Sequence, residues 1–203
     1  ILKVLVPMYT LVNIMNNFLL NPNTTMLLII DMQNDFCHKN GSLYVENANN
    51  IIPNLQKFQN FARNNGVLIG YTADSHDPDD KEFNIWPKHC INGEWGAQII
   101  DELRPSTSSE EHVFKKRRYS GFYGTDLDLY LREHGIDTLI VTGVVTNICV
   151  LHTVGDASAR GYKAIVLVDC IAALSEYEQE YALHHIKSVF NASIANSEDI
   201  KFY

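Results

Sequence analysis

Residues 138–161 read TLIVTGVVTNICVLHTVGDASARG, and the spacing of apolar residues changes partway along this stretch. Its first four residues form an apolar run rich in β-branched side chains, closed by Gly143, which is typical of a buried strand. Beyond Gly143, apolar residues recur at intervals of three and four, as on one face of a helix. The stretch therefore predicts a strand, a turn and a helix in succession.

Cys149 falls in the first turn of this predicted helix, beyond the carboxyl end of the strand. We expect Thr146 or Asn147 to cap the helix, because their side chains accept hydrogen bonds from free N–H groups. A helix N-terminus favours a thiolate over a thiol, so Cys149 is a candidate nucleophile. The N–H groups of the same turn could bind an oxyanion. The alternative is that Cys149 is a small core residue, since free cysteines are commonly buried.

Length and composition narrow the possibilities for the whole chain. A length of 203 residues suits one domain, and the net charge of −8 argues against general nucleic-acid binding. The four cysteines are far apart and contain no CxxC pair, so they do not resemble a disulfide framework. We therefore expect a reducing, cytoplasmic environment.

Residues 1–25 differ from the rest of the chain because they are apolar but repeatedly interrupted by asparagine. Pro7 and the asparagines leave no uninterrupted run of about 20 apolar residues, so we expect no membrane span. We interpret this segment as an extension that packs on the domain or on a partner subunit. Residues 26–203 would then form the domain itself.

Apolar runs and helical spacings alternate along those residues. The predicted strands cover residues 26–30, 67–71, 112–114, 138–141, 163–168 and 192–195. Predicted helices cover residues 51–62 and 127–134, follow Cys149, and begin after Ser175, where Ser175 and Glu178 form a capping-box pattern. This alternation predicts an α/β fold, a single doubly wound parallel sheet of about six strands with helices on both faces.

Polar residues follow several of the predicted strands. Because parallel strands end at one edge of a sheet, Asp31, Asp74 and Cys149 should converge there with a cation from residues 115–118, KKRR. A carboxylate can take the thiol proton and pass it to a leaving amine, and a cation lowers the thiol pKa. Alternatively, Asp31 caps a turn and the basic run is a solvated face.

A second group of polar residues, Asp74, His76 and His89, has the composition of a metal site. Asp74 and His76 are two residues apart, so in an extended segment they point the same way. A carboxylate and two imidazoles suit Zn²⁺, Fe²⁺ or Mn²⁺. The acidic residues Asp77, Asp79 and Asp80 are possible further ligands or simply solvated.

Five segments of the chain resemble one family. MLLIIDMQNDF, TADSHD, WPKHCINGEWGA, KKRRYSGF and TGVVTNICV resemble the isochorismatase-like cysteine hydrolases, and within them the nicotinamidases. The resemblance implies a six-stranded parallel sheet and a catalytic set of Asp31, Lys116 and Cys149. Lys116 is preferred to Lys115 because it stands three residues before Tyr119, as in the family's K-x-R-Y-S pattern.

The resemblance also implies one divalent metal ion held by Asp74, His76 and His89, which would bind the ring nitrogen of a pyridine. We expect Zn²⁺, with Fe²⁺ or Mn²⁺ as alternatives. The family's cis peptide bond beside the oxyanion hole would fall between Val144 and Val145.

The activity implied is hydrolysis of nicotinamide to nicotinate and ammonia, with Phe36, Trp86 and Tyr123 as walls for the ring. Ser75 stands where nicotinamidases usually carry tryptophan, so the alternative is a related hydrolase of another small amide, such as a ureidoacrylate. A third possibility is a non-catalytic, flavodoxin-like binding module, although no run resembles a phosphate-binding glycine loop. We further expect a homo-oligomer with a small-molecule substrate.

Overall fold

The structure is a computed structural model that describes residues 17–107 and 111–203. Its strands are β1 (Phe18–Leu20), β2 (Thr25–Ile30), β3 (Leu68–Asp74), β4 (His112–Lys116), β5 (Thr138–Val144), β6 (Lys163–Ala172), β7 (Ser193–Ala195) and β8 (Ile200–Phe202). Its α-helices are α1 (Asn34–Cys37), α2 (Ala48–Asn64), α3 (Leu127–Glu133), α4 (Leu151–Ala159) and α5 (Glu176–Ser188). Short 3-10 helices cover Pro22–Thr24, Lys81–Asn84, Trp95–Ala97, Asp101–Leu103 and Ser197–Asp199.

Six of these strands form one parallel sheet in the order β4-β3-β2-β5-β6-β7. The chain moves outward from β2 in one direction through β3 and β4, and in the other direction through β5, β6 and β7. The strand order therefore reverses between β2 and β5, and ligands of open α/β sheets bind in the crevice at such a reversal. This arrangement confirms the predicted doubly wound fold.

Apolar side chains of the central strands alternate between two cores. On β2, Leu27 and Ile29 face the core that includes Leu55 of α2. Met26, Leu28 and Ile30 face the opposite core, which is closed by apolar residues of α3, α4 and α5. Every β2 residue is buried, so the strand is apolar throughout, as expected for a central strand of a parallel sheet.

Four strands, β3, β4, β5 and β6, continue past their predicted carboxyl ends, and β3 and β4 end on charged residues. The predicted strands 67–71 and 112–114 continue in the structure to Asp74 and Lys116, and these two residues are register partners between β3 and β4. The sequence did not predict these polar strand ends, because a run of apolar residues stops where the side chains become polar, even when the backbone hydrogen bonds of the strand continue. The extension places two charged side chains inside the sheet edge instead of on a loop.

The described part of the N-terminal segment packs on the domain. Strand β1 pairs in parallel with β8, apart from the main sheet, and β2 begins one residue before the predicted boundary. Residues 1–16, which make up most of the predicted extension, lie outside the described residues. Among the described helices, none is long and apolar enough to cross a membrane.

Candidate active site

Four strands that lie side by side in the sheet, β4, β3, β2 and β5, each have a polar residue at or just beyond their carboxyl end. Asp31 follows β2, Asp74 ends β3, Lys116 ends β4, and Cys149 follows β5 after a short turn. All four side chains are buried, with Asp31 and Lys116 only 1% and 2% exposed. A buried charge is tolerated only when it is paired, so the contacts among these residues define what the site can do.

Lys116 lies at the centre of this cluster. Its Nζ atom is 2.8 Å from Oδ2 of Asp31 and 2.5 Å from Oδ1 of Asp74. The same atom donates toward Sγ of Cys149 at 3.6 Å. One ammonium group therefore contacts both carboxylates and the thiol. Lys115 instead reaches Asn92 and is exposed, because adjacent strand residues point to opposite faces.

Asp31 is held in an uncommon backbone conformation. Its φ is 51°, in the left-handed region, and its N–H donates to the carbonyl of Thr72. The Thr72 hydroxyl donates to Oδ1 of Asp31 at 2.7 Å. Strained conformations of this kind persist where the surrounding structure enforces them. The carboxyl group is thus fixed between Thr72 and Lys116, within 4.8 Å of the Cys149 sulfur.

The charge state of Cys149 differs from the one expected at a helix N-terminus. Burial raises the pKa of the Cys149 thiol well above its usual range, and the positive charge of Lys116 offsets this only in part. Burial also raises the pKa of Asp31, again against the opposing effect of Lys116. The Cys149 thiol is therefore neutral at rest beside Asp31, and any attack by its sulfur requires a base that removes the thiol proton.

The turn that carries Cys149 follows directly from β5. Gly143 has a φ of 104°, and a Cβ atom there would lie 2.0 Å from the carbonyl oxygen of Ile30. The peptide bond between Val144 and Val145 is cis. A π-helical turn then covers Thr146–Val150 and leads into α4. Such turns occur frequently at functional sites.

The predicted cap of this helix is wrong. Val145 occupies the N-cap position and makes no side-chain capping bond, so neither Thr146 nor Asn147 caps the helix. The hydroxyl oxygen of Thr146 is buried without a hydrogen-bond partner. The N-cap preference of polar side chains favoured Thr146 and Asn147, but the turn that follows β5 makes the helix begin one residue earlier.

Asp74 also comes together with His76 and His89. Nε2 of His76 and Nε2 of His89 each lie 3.8 Å from Oδ2 of Asp74. Candidate ligand atoms of these three buried residues all lie within 4.8 Å of one another. Burial opposes ionisation of Asp74, but the positive charge of Lys116 and the two nearby histidines hold its pKa well below the usual range.

The remaining ring nitrogens are engaged elsewhere. Nδ1 of His89 lies 2.7 Å from the carbonyl oxygen of Pro87, and Nδ1 of His76 lies 3.1 Å from Oδ2 of Asp80. Outward partners of this kind orient histidine ligands in metal sites. Nε2 of His76 is buried and has no hydrogen-bond partner, which fits a cation as its missing partner. The three residues present therefore suit a divalent metal ion.

The acidic residues Asp77 and Asp80 do not join the three ligands. Asp80 supports His76 and pairs with Arg117 at 2.9 Å, while Asp77 pairs with Arg117 at 3.0 Å. Within the described residues, neither belongs to the group of candidate metal ligands. Asp80 therefore acts behind His76, a role that the sequence pattern did not distinguish from direct ligation.

A cavity of about 270 Å³, the substrate cavity, opens onto both groups. Cys149, Asp74 and His89 contribute to it, so the thiol and the metal side share one space. Its aromatic walls include Phe36, Trp86 and Tyr119. Nε1 of Trp86 donates to the Tyr119 hydroxyl at 3.1 Å, which joins two of these walls.

The residues that line the substrate cavity differ in part from the predicted ones. Tyr123 is 66% exposed and does not line the substrate cavity, whereas its neighbour Phe122 is buried in the core. Residues 42–45 and Glu82 do line it, although no motif indicated them. Burial raises the pKa of Glu82. Apolar and polar residues alternate without a regular period in these segments, so only the folded structure shows that residues 42–45 and Glu82 line the cavity.

A thiol, a carboxylate and an ammonium group in mutual contact, at the reversal point of a parallel sheet, define a cysteine hydrolase. The chain belongs to the isochorismatase family, because residues 25–198 match the Isochorismatase domain.

Solved structures of this family resemble the fold closely. An N-carbamoylsarcosine amidase from Thermoplasma acidophilum is 38% identical, covers 86% of this chain and 97% of its own, and has a TM-score of 0.79. A nicotinamidase from Bacillus subtilis is 34% identical, with 85% and 100% coverage and a TM-score of 0.81. A pyrazinamidase from Pyrococcus horikoshii, solved in complex with zinc, is 30% identical, with 85% and 99% coverage and a TM-score of 0.79.

Proposed function

We propose that this protein is an amidohydrolase that converts nicotinamide to nicotinate and ammonia through a thioester on Cys149. The observation that carries the proposal is the position of Lys116 Nζ, 2.8 Å from Asp31 and 3.6 Å from the Cys149 sulfur. The proposal is supported by a carboxyl group and an ammonium group beside one thiol, which lines a cavity together with Asp74 and His89. A binding module has no need for such a buried, charged cluster.

The reaction follows from the resting state of the thiol. Asp31 takes the thiol proton as the Cys149 sulfur attacks the carboxamide carbon, and then passes that proton to the leaving nitrogen. Ammonia departs and leaves a thioester. Asp31 next accepts a proton from the attacking water, the acyl–sulfur bond breaks, and the thiol is restored as the acid leaves. Lys116 keeps Asp31 in place and balances charge near the sulfur throughout.

The tetrahedral intermediates of both steps carry a negative oxygen. We assign its stabilisation to the backbone N–H groups of Val145 and Cys149, which belong to the turn at the base of the cavity. Donors fixed before the reaction stabilise developing charge without reorganising, and this is usually a large contribution to the rate.

Asp74, His76 and His89 would hold the metal ion. When bound, a divalent cation supplies a Lewis-acidic position that can accept a lone pair from the substrate's ring nitrogen. Phe36 and Trp86 line the same cavity and would contact the faces or edge of a planar aromatic ring. Together these groups would orient a pyridine carboxamide with its amide toward Cys149. We expect Zn²⁺ at this position, with Fe²⁺ or Mn²⁺ as alternatives.

A second candidate is hydrolysis of a different small amide. It is favoured by Ser75 in place of the tryptophan usual in nicotinamidases, and by the similarity to the N-carbamoylsarcosine amidase. Glu82 and Ser42 add polar groups to the cavity wall, which a carbamoyl or ureido substrate could use. The chemistry at Cys149 would be the same, and only the groups that hold the substrate would differ.

Ammonia release from a panel of amides tests the proposal. The panel contains nicotinamide, pyrazinamide, benzamide, N-carbamoylsarcosine and ureidoacrylate, each measured with purified protein before and after chelation. Nicotinamide should give the highest kcat/KM, and chelation should reduce it. A higher kcat/KM for a carbamoyl substrate would select the second candidate, and no hydrolysis of any amide would refute both.

A further inference from the structure

The segment that follows β2 contains two buried polar side chains whose roles the mechanism above does not use. Gln33 is 0% exposed, and its Oε1 accepts the N–H of Asp74 at 2.8 Å. Its Nε2 donates to the carbonyl oxygens of Asp74 and Ala97, both at 2.8 Å. The amide therefore uses both of its polar atoms on the backbone of neighbouring chain segments.

Gln33 continues the pairing of β2 after that strand has ended. The last register pair between β2 and β3 is Ile30 with Thr72, so Asp74 lies beyond the strand's own hydrogen bonds. The Gln33 side chain binds the N–H and C=O of Asp74 as a neighbouring strand would. Asp74 thereby receives a fixed position although it is at the open edge of the sheet.

Asp35 likewise forms hydrogen bonds with backbone groups of other chain segments. Its Oδ2 accepts the N–H of Cys90 at 2.7 Å, and its Oδ1 accepts the N–H of Ser42 at 3.0 Å. Cys90 directly follows His89, and Ser42 lines the substrate cavity. A Cβ atom at Gly96 would lie 2.1 Å from Oδ2 of Asp35, so the glycine makes room for this carboxylate.

We propose that Gln33 and Asp35 are positioning residues that tie Asp74 and His89 to the segment carrying Asp31. The inference rests on the proposed function, because that function assigns metal ligation to Asp74 and His89. One short stretch of chain then carries the base and fixes two of the ligands. A loss of either side chain should disturb the metal ligands while the thiol, on a different strand, stays in place.

The test uses two variants of matched size and one control. Gln33→Met keeps the approximate volume but removes all three hydrogen bonds, and Asp35→Asn keeps the shape but replaces one acceptor with a donor. Gln59→Met is the control, because Gln59 is a buried glutamine that donates to Tyr71 and Leu103, outside the substrate cavity. Gln59→Met should lower the stability as the loss of any buried amide would, but it should leave the candidate metal ligands in place.

Zn²⁺ affinity is measured by competition with a chromogenic chelator, and ligand geometry by the absorption spectrum of the Co²⁺-loaded protein. Melting temperature of the metal-free protein reports folding. We expect Gln33→Met and Asp35→Asn to bind Zn²⁺ about tenfold or more weakly, within the range found for outer partners of metal ligands. Both should show altered Co²⁺ spectra, whereas Gln59→Met should keep the native affinity and spectrum despite a lower melting temperature.

Native affinity and spectrum in both Gln33→Met and Asp35→Asn would overturn the inference, and so would an equal affinity loss in Gln59→Met. These results are independent of the substrate. If the native protein binds Zn²⁺ but hydrolyses no amide, the proposed function fails while the positioning roles are still decided by affinity. If it hydrolyses amides but binds no metal, the positioning roles are refuted and the thiol chemistry stands.

Discussion

Lys116 Nζ lies 3.6 Å from Cys149 Sγ, yet the pKa of the Cys149 thiol is raised well above its usual range. Burial outweighs the attraction between the ammonium group and a thiolate. Lys116 is also shared, because it pairs with Asp31 and Asp74 at the same time. The thiol does not rest as an anion, so under the proposed mechanism Cys149 is deprotonated only when substrate is attacked, and catalysis would depend on Asp31 as the base.

The first prediction concerns the nucleophile. Cys149→Ala should lower kcat for the best amide by about 10³-fold or more, because no other group can form the thioester. Its circular dichroism spectrum should match the native one, since alanine fits the start of the helix. Cys170→Ala is the control: it removes a thiol buried outside the cavity and should keep most of the activity. Residual turnover above about a hundredth in Cys149→Ala would exclude covalent catalysis there.

The second prediction separates proton transfer from thiol reactivity at Asp31. Asp31→Asn should abolish amide hydrolysis, because an amide cannot take the proton. It should also lower the thiol pKa of Cys149, since the negative charge of Asp31 raises that pKa in the native site. Iodoacetamide should then alkylate Cys149 faster at neutral pH, even though turnover is lost.

A matched control for that experiment is Asp169→Asn, which alters a carboxylate that accepts hydrogen bonds from Ser197. It should change neither measurement. Slower alkylation in Asp31→Asn would contradict the charge arrangement described for this site.

The third prediction concerns Lys116. Lys116→Met leaves Asp31 and Asp74 buried without their shared cation, and breaking a buried ion pair in this way typically costs about 3–5 kcal/mol of stability. The loss is measured by urea unfolding. The alkylation profile of Cys149 should move to higher pH, because Lys116 lowers the thiol pKa in the native protein.

Lys115→Met provides the comparison, because Lys115 is exposed and its side chain reaches Asn92. Its unfolding curve and alkylation profile should both match those of the native protein. A shift with Lys115→Met and none with Lys116→Met would reverse the assignment of the two lysines.

The fourth prediction concerns the metal. His76→Ala or chelation should reduce hydrolysis of nicotinamide far more than that of benzamide, which has no ring nitrogen. The reason is that, under the proposed function, the metal ion would orient the ring and Cys149 would supply the nucleophile. Both substrates are compared in metal-loaded and chelated protein. His134→Ala, which removes an exposed imidazole bound to Tyr130, should affect neither substrate. Equal losses for the two amides would instead indicate a metal with a purely structural role.

The sequence alone determined the order of strands and helices and the edge at which the site lies. Apolar runs and helical spacing are local properties, and parallel strands must end at one edge, so Asp31 and Cys149 could be brought together without a structure. The choice of Lys116 over Lys115 came from the family resemblance. The structure gives its physical basis: Lys116 is the register partner of Asp74, and the adjacent residue faces the other way.

Other features depended on contacts between distant segments. Tyr119 lines the cavity, whereas Tyr123, four residues further along the chain, does not. Asp80 contacts His76 and does not join the candidate metal ligands. The hydrogen bonds between the Gln33 amide and the backbone of Asp74 join residues 41 positions apart, and no local pattern predicts them. The protonation state of Cys149 was likewise decided only by the folded chain. A pKa depends on burial and on every neighbouring charge, and both are set by packing between segments far apart in sequence.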